Sequence, residues 1–175
     1  MSLTNDEILS TGKRVLDIES EALKFVAERL DENFALAVRT LADAQSRVIV
    51  TGIGKSGLVA RKIAATLASC GTPSIFVHPV EAGHGDLGMI VKKDIMLAVS
   101  YSGDTRERVG LLDFVKRIGI QLIGITGNRD SKLAQYSDIV LEARVERRPS
   151  PGGWSPPQAR PRPWPWVMRW PWPCC

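Results

Sequence analysis

Apolar residues recur at helical spacing in the first part of the chain and form short continuous runs after it. Between residues 6 and 45 they return every three or four positions, which predicts two amphipathic helices ahead of any strand. Each later run is typical of a strand that is buried on both faces. The predicted strands are 48–50, 74–77, 95–99, 122–125 and 139–141.

Helix-patterned segments lie between the predicted strands, at residues 57–69, 106–118 and 131–136. This alternation favours an α/β fold, a three-layer, doubly wound, five-stranded parallel sheet of the flavodoxin-like kind, with the N-terminal helical pair packed on it. Ligands of such sheets bind beyond the carboxyl ends of the strands. The functional residues are therefore expected in the loops after strands one, two and three.

The composition of the chain changes abruptly after residue 146. Residues 147–175 hold all five tryptophans and nine of the eleven prolines, with no Leu, Ile, Phe, Asp, Glu, Lys or Thr. We therefore divide the chain into N-terminal helices at 1–45, a core at 46–146 and an aberrant tail at 147–175. Five tail arginines carry the net charge of +4, so residues 1–146 sum to −1.

Charge and cysteine usage argue against several classes of protein. Lysines and arginines of the body are scattered rather than clustered, so no nucleic-acid partner is expected. There is no cationic and apolar leader and no apolar run of about 20 residues, so we expect a cytoplasmic protein without a membrane partner. Cys70 stands alone in the body, which favours neither a disulfide framework nor a metal cluster.

The loop after the first predicted strand, residues 52–57, reads Gly-Ile-Gly-Lys-Ser-Gly. It is not a P-loop, because Ile49 stands where that motif needs its first glycine. It matches the dinucleotide pattern G-x-G-x-x-G, but no ribose-binding acid follows about 20 residues later, so that alternative is weak. Lys55 and Ser56 at the mouth of a helix favour contact with a phosphate or a sugar hydroxyl, and a plain tight turn is the other interpretation.

The loop after the third predicted strand presents three aliphatic hydroxyls, on Ser100, Ser102 and Thr105, around a turn at Gly103. Such a loop is suited to an uncharged phosphate cradle. An ordinary helix N-cap, with Glu107 as the acid of a capping box, explains the same residues equally well.

The loop after the second predicted strand, residues 78–88, contains both histidines of the chain. Its three glycines argue against a helix, so its titratable side chains are expected on an open loop over the cleft. Such a group suits proton transfer, and a metal site is the alternative. The four side chains are His78, Glu81, His84 and Asp86.

Taken together, the three loops resemble the sugar isomerase (SIS) domain. Within that family, residues 10–146 resemble the arabinose 5-phosphate isomerases of the 3-deoxy-manno-octulosonate (Kdo) pathway of lipopolysaccharide biosynthesis. The resemblance implies isomerisation of D-ribulose 5-phosphate and D-arabinose 5-phosphate through a cis-enediol, with no cofactor required. It is carried by residues 52–57, 60–69, 71–73, 76–79, 81–89, 102–105 and 125–128.

The resemblance also implies roles for single residues. Lys55 and Glu107 fall at catalytic positions, and Glu81 and Glu107 both remain candidates for the base. Zinc has been placed at the position of His78. Because the family builds its site from neighbouring subunits, a homo-oligomer, dimer or tetramer, is expected. The implied substrate-binding residues are Ser56, Gly71, Thr72, His78, His84, Ser100, Ser102 and Thr105.

The tail departs from the family. Relatives continue with a phosphate-facing Pro-Thr-Ser-Ser-Thr-Thr segment and a helix, and they carry a further acid where this chain has Arg148. Back-translated residues 163–175, read from the third base of each codon, can encode Leu-Ala-Met-Gly-Asp-Ala-Leu-Ala-Val-Ala-Leu-Leu, which matches that helix. We therefore hypothesise a frameshift near residue 147, against the alternative of a genuine Trp/Pro tail.

The activity of this particular chain stays open under that hypothesis. A non-catalytic phosphosugar sensor or regulator is the alternative function.

Overall fold

The chain folds into a five-stranded sheet with helices on both faces, in a computed structural model. The structure describes residues 4–83, 85–104 and 109–145. In chain order the helices and strands are α1 (Asn5–Ala27), α2 (Glu32–Ala42), β1 (Val48–Gly52), α3 (Lys55–Ser69), β2 (Ser74–Val77), α4 (Pro79–Ala82), a 3-10 helix (Asp86–Met89), β3 (Ile95–Val99), α5 (Val109–Ile118), β4 (Gln121–Thr126), α6 (Lys132–Tyr136) and β5 (Ile139–Glu142).

All five strands run parallel, which confirms the predicted doubly wound sheet. Their order is β2-β1-β3-β4-β5. Strand β1 pairs with both β2 and β3 and places Val48 opposite both Ser74 and Ile95. The chain turns from β1 towards β2 on one side and continues from β3 towards β4 on the other. The topological switch point of the sheet therefore lies between β1 and β3.

Two apolar layers cover the two faces of the sheet. Val48 and Val50 of β1 pack on one face with buried residues of α2 and α3. Ile49, between them, packs on the other face with buried residues of α4, α5 and α6. Successive side chains of a strand point to opposite faces, so a strand covered on both sides must be apolar throughout.

The N-terminal helical pair packs less completely than the sequence predicts. In α2, Ala37 and Leu41 are buried in the first apolar layer. In α1 the one buried residue is Val26, in its last turn, whereas Leu9 and Leu16 are 62% and 66% exposed. None of the described helices, α1 included, combines the length and the apolar character needed to cross a membrane.

The segment after β2 is more helical than predicted. The expectation of an open loop is wrong for Pro79–Ala82, which forms α4, and for Asp86–Met89, which forms a 3-10 helix. Pro79 stands in the first turn, where its fixed φ suits a helix, and His78 caps the turn. The following glycines limit the helices to about one turn each rather than preventing them.

A buried carboxylate joins β1 and β3 at the amino edge of the sheet, opposite the predicted site. Asp94 is 2% exposed and accepts hydrogen bonds from the Ser46 hydroxyl at 2.7 Å and the Val91 N–H at 2.9 Å. It also pairs with the Arg47 guanidinium at 3.1 Å. Burial opposes its charge, but these hydrogen bonds outweigh that penalty and lower the pKa of Asp94.

Candidate functional site

The loops after β1, β2 and β3 begin level with one another at the carboxyl edge of the sheet. Thr51 of β1 is opposite Val77 of β2, and Gly52 is opposite Val99 of β3. Neighbouring strands lie about 4.8 Å apart, so the three loops start within roughly 10 Å of one another. The structure thus brings the described parts of the three predicted loops together at the switch point.

The first loop leads into the N-terminus of α3 without a side-chain cap. Gly54 is the N-cap residue, with a φ of 58°, and no side chain there accepts a hydrogen bond from the first turn. The first N–H groups of this 15-residue helix therefore point at the cleft, and the helix dipole adds partial positive charge. Exposed Lys55 and half-buried Ser56 follow directly, where an anionic oxygen is favoured.

Two glycines allow α3 to begin this close to β1. A Cβ atom on Gly57 would lie 2.7 Å from the Gly52 carbonyl oxygen, and one on Gly52 would lie 2.7 Å from the Ser56 carbonyl oxygen. The glycine pattern therefore serves close packing of strand and helix as well as the turn itself.

His78 directly follows β2 and caps α4. Its Nδ1 accepts a hydrogen bond from the Val80 N–H at 3.3 Å, and its ring stands edge-on to Phe76 at 6.3 Å between centroids. In the neutral imidazole with Nδ1 as acceptor, Nε2 carries the proton. Nε2 is therefore the ring nitrogen of His78 that can donate a hydrogen bond.

The described residues do not fit zinc at His78. A zinc ion needs a lone pair on the nitrogen that binds it, and the hydrogen bond to Nδ1 assigns the remaining proton to Nε2. Over the described ranges, no group of three or more His, Cys, Asp and Glu side chains could hold a metal ion.

Glu81, one of the two candidate bases, lies on α4 close to His78 in the sequence. Its side chain is exposed, and α4 follows directly after the carboxyl end of β2. Glu107, the other candidate base, lies outside the described residues, as do His84 and Thr105. The choice between the two carboxylates therefore stays a prediction.

The loop after β3, residues 100–104, separates its two described hydroxyls. Ser100 is 1% exposed, and its Oγ accepts a hydrogen bond from the Gly103 N–H at 3.0 Å. Ser102 is exposed. The Ser100 hydroxyl thus shapes the loop, whereas the Ser102 hydroxyl is available to a ligand.

Gly71 and Thr72 lie at the opposite edge of the sheet from the other predicted site residues. Both follow α3 and precede β2, and α3 alone is about 22 Å long at 1.5 Å per residue. The Thr72 N–H closes the helix end by donating to the Leu67 carbonyl at 3.0 Å. Within one chain, the structure does not bring these two residues to the cleft.

The turn after β4 is a fourth part of this edge. The sequence predicted no site residue there. Thr126 is buried, and its Oγ1 accepts a hydrogen bond from the Asn128 N–H at 3.2 Å. Buried Ser131 then caps α6 by accepting from the Ala134 N–H at 3.3 Å. A Thr-x-Asn turn and a serine N-cap after a predicted strand were the signals that could have identified it.

A shallow groove lies beside β5, away from the switch point. Three of its four charged residues pair with one another, because Arg129 contacts Glu142 at 2.6 Å and Asp31 at 3.4 Å. The lining residues are Val26, Arg29, Leu30, Asp31, Phe34, Arg129, Leu141 and Glu142. The groove therefore offers a ligand little unpaired charge.

The chain is similar in sequence to known proteins. The SIS domain family matches residues 40–155. Arabinose 5-phosphate isomerase KdsD of Pseudomonas aeruginosa is 47% identical over 147 residues, 84% of this chain and 45% of the relative. The enzyme of the same name from Escherichia coli K12 is 44% identical over 145 residues, 83% of this chain and 44% of the relative.

A solved structure is also similar. An Escherichia coli CFT073 protein in complex with arabinose 5-phosphate superimposes with a TM-score of 0.81 at 38% identity, covering 88% of this chain and 82% of that one. The chain spans a little under half the length of the curated relatives it matches.

Proposed function

This chain belongs to the SIS domain family, and we propose that its site isomerises a pentose phosphate, interconverting D-ribulose 5-phosphate and D-arabinose 5-phosphate. The observation that carries the proposal is the meeting of three loops at the switch point in a chain 47% identical to a KdsD isomerase. The complex of a similar fold with arabinose 5-phosphate supports the same substrate class.

In the proposed reaction, a base removes the proton beside the carbonyl and returns it to the former carbonyl carbon. The proton of the adjacent hydroxyl moves to the former carbonyl oxygen, so that the carbonyl and the hydroxyl exchange places. The negative charge that develops on the enediolate oxygen needs donors that are already oriented. Lys55 supplies an ammonium group, and the uncapped first turn of α3 supplies N–H groups beside it. These groups would stabilise the enediolate without any redox chemistry.

Other groups at the edge would bind and orient the sugar phosphate. The Nε2–H of His78 would donate to a hydroxyl or carbonyl oxygen, since its Nδ1 is already engaged by Val80. Ser102, with Thr105 after it, would bind the phosphate. Either Glu81 or Glu107 would act as the base, because a carboxylate within hydrogen-bond reach of the proton can remove it.

We further propose that a neighbouring subunit completes the site. Gly71 and Thr72 lie at the far edge of their own chain, so they would contact substrate only in the cleft of another copy. In the cell, the protein would act as a cytoplasmic homo-oligomer that serves Kdo synthesis. The tail would change the region after β5, where relatives have further phosphate-facing residues.

The test measures binding and turnover separately on two versions of the chain. The 175-residue chain and a version with the reading frame restored after residue 146 are incubated with D-ribulose 5-phosphate, and arabinose 5-phosphate is followed by NMR. We expect both versions to be thermally stabilised by the sugar phosphate and the restored version to turn it over.

The controls separate the competing functions. Lys55→Met in the restored version should abolish turnover with little loss of fold, whereas Lys93→Met, at an exposed position just before β3, should leave turnover intact. Stabilisation without turnover in both versions would favour a phosphosugar sensor. Turnover by the 175-residue chain would show that the scrambled segment is dispensable.

A further inference from the structure

The loop after β3, residues 100–104, is attached to the first turn of α6. The carbonyl of Gly103 accepts a hydrogen bond from the Leu133 N–H at 3.1 Å. The Oδ1 atom of Asp104 accepts one from the Lys132 N–H at 2.9 Å. Two consecutive residues of the loop are therefore bound to two consecutive residues of the helix.

These two hydrogen bonds satisfy backbone N–H groups at the N-terminus of α6. The first three N–H groups of a helix have no partner within the helix and need one elsewhere. In α6 the third of them, from Ala134, goes to the Ser131 hydroxyl at 3.3 Å, and the loop satisfies the other two. Displacing the loop would leave two N–H groups without their partners.

Further contacts hold the loop against the α6 N-cap and the turn after β4. Gly103 has a φ of 73°, and a Cβ atom there would collide with the Ser131 side chain. The Tyr101 carbonyl accepts a hydrogen bond from the Gly127 N–H at 2.9 Å, which ties the loop to the turn after β4. The backbone is thus held at Tyr101, Gly103 and Asp104, on both sides of exposed Ser102.

We propose that Asp104 is a positioning residue, which holds the loop on α6 so that Ser102 meets the phosphate of the substrate. This inference rests on the proposed function. A carboxylate that touched a phosphate would repel it, so the role of Asp104 is carried by its hydrogen bond to the Lys132 N–H and not by its charge.

The test compares Asp104→Ala and Asp104→Asn with a matched control, Asp138→Ala. Asp138 likewise accepts a hydrogen bond from a backbone N–H, that of Leu122 at 2.7 Å, but it lies before β5 at the amino edge. Calorimetric titration with D-arabinose 5-phosphate gives the affinity of each full-length variant. Amide hydrogen exchange at Gly103, Lys132 and Leu133 reports on the loop without any ligand.

We expect Asp104→Ala to weaken binding about tenfold and to speed exchange at all three amides. Asp104→Asn, whose Oδ1 can still accept the Lys132 N–H, should restore both to within about threefold of the original chain. Asp138→Ala should lose comparable stability while leaving binding and these amides unchanged.

Binding tests the proposed function, and hydrogen exchange tests the role of Asp104. If the unaltered chain fails to bind the sugar phosphate, the proposed function fails, and exchange still decides whether Asp104 holds the loop. Unchanged exchange in Asp104→Ala, or equal loss of binding in Asp104→Ala and Asp104→Asn, would overturn the positioning role.

Discussion

Single residues at the start of α3 decide whether the helix can approach β1. Gly57 is buried and lies against the Gly52 carbonyl, whereas Gly110 of α5 is exposed and has no atom within 4 Å of the position of a Cβ. Both are helical glycines, so replacement by alanine brings the same gain in helix propensity. Only the space around them differs.

Gly57→Ala should therefore destabilise the fold by about 1–3 kcal/mol through overpacking. Gly110→Ala should stabilise it by up to about 1 kcal/mol. Urea denaturation of both variants tests this. Equal effects of the two substitutions would show that the close approach of Gly57 and Gly52 does not constrain the fold.

A second prediction at this scale concerns Asp94. Its pKa is lowered from 3.8 in the folded state, so the folded state binds protons less readily than the unfolded state there. This contribution to stability is complete above the unfolded pKa and is lost as the pH falls through the lowered folded pKa.

Asp94→Asn should cost about 1–3 kcal/mol near neutral pH, because buried donors lose a charged acceptor. The cost should begin to shrink below about pH 4, where Asp94 of the unfolded chain becomes protonated, and should be lost as the pH falls through the lowered folded pKa. Denaturation at several pH values measures the difference. If the stability difference between the original chain and Asp94→Asn does not vary with pH, Asp94 acts through its shape and not through its charge.

At the scale of elements, the two N-terminal helices have similar apolar patterns and different surroundings. Leu41 of α2 is 1% exposed and belongs to the core, whereas Leu16 of α1 lies on an exposed face. The periodicity of the sequence is the same in both cases, because it records which face of a helix is apolar and not what covers that face.

Leu41→Ala should consequently cost about 2–5 kcal/mol, the usual range for a buried leucine. Leu16→Ala should change the stability of the single chain by less than about 0.5 kcal/mol. Thermal denaturation at low protein concentration tests both. A large loss in Leu16→Ala that grows with protein concentration would show that another copy covers α1.

At the scale of the whole molecule, the frameshift hypothesis concerns the tail after residue 146. The frameshift hypothesis predicts that the DNA of this gene, sequenced again or compared among related strains, contains a continuous frame for the Leu-Ala-Met-Gly-Asp-Ala-Leu-Ala helix. Related strains whose intact genes encode the Trp/Pro tail would contradict it.

The sequence by itself determined the parallel sheet, the edge at which the three predicted loops meet and the α3 N-terminus with Lys55. Each of these depends on local pattern, since apolar runs, glycine spacing and helix starts are properties of neighbouring residues. The prediction of an open loop after β2 was wrong, because a single helical turn that begins at Pro79 needs only a few residues.

Tertiary structure decided the rest. Ser100 is buried and Ser102 exposed because the contact of Gly103 with Ser131 turns the loop, and those residues are 28 positions apart in the sequence. Gly71 and Thr72 are far from Lys55 because a whole helix lies between them. Local patterns record which residues favour a helix, a strand or a turn, whereas the neighbours of a side chain depend on how distant segments pack together.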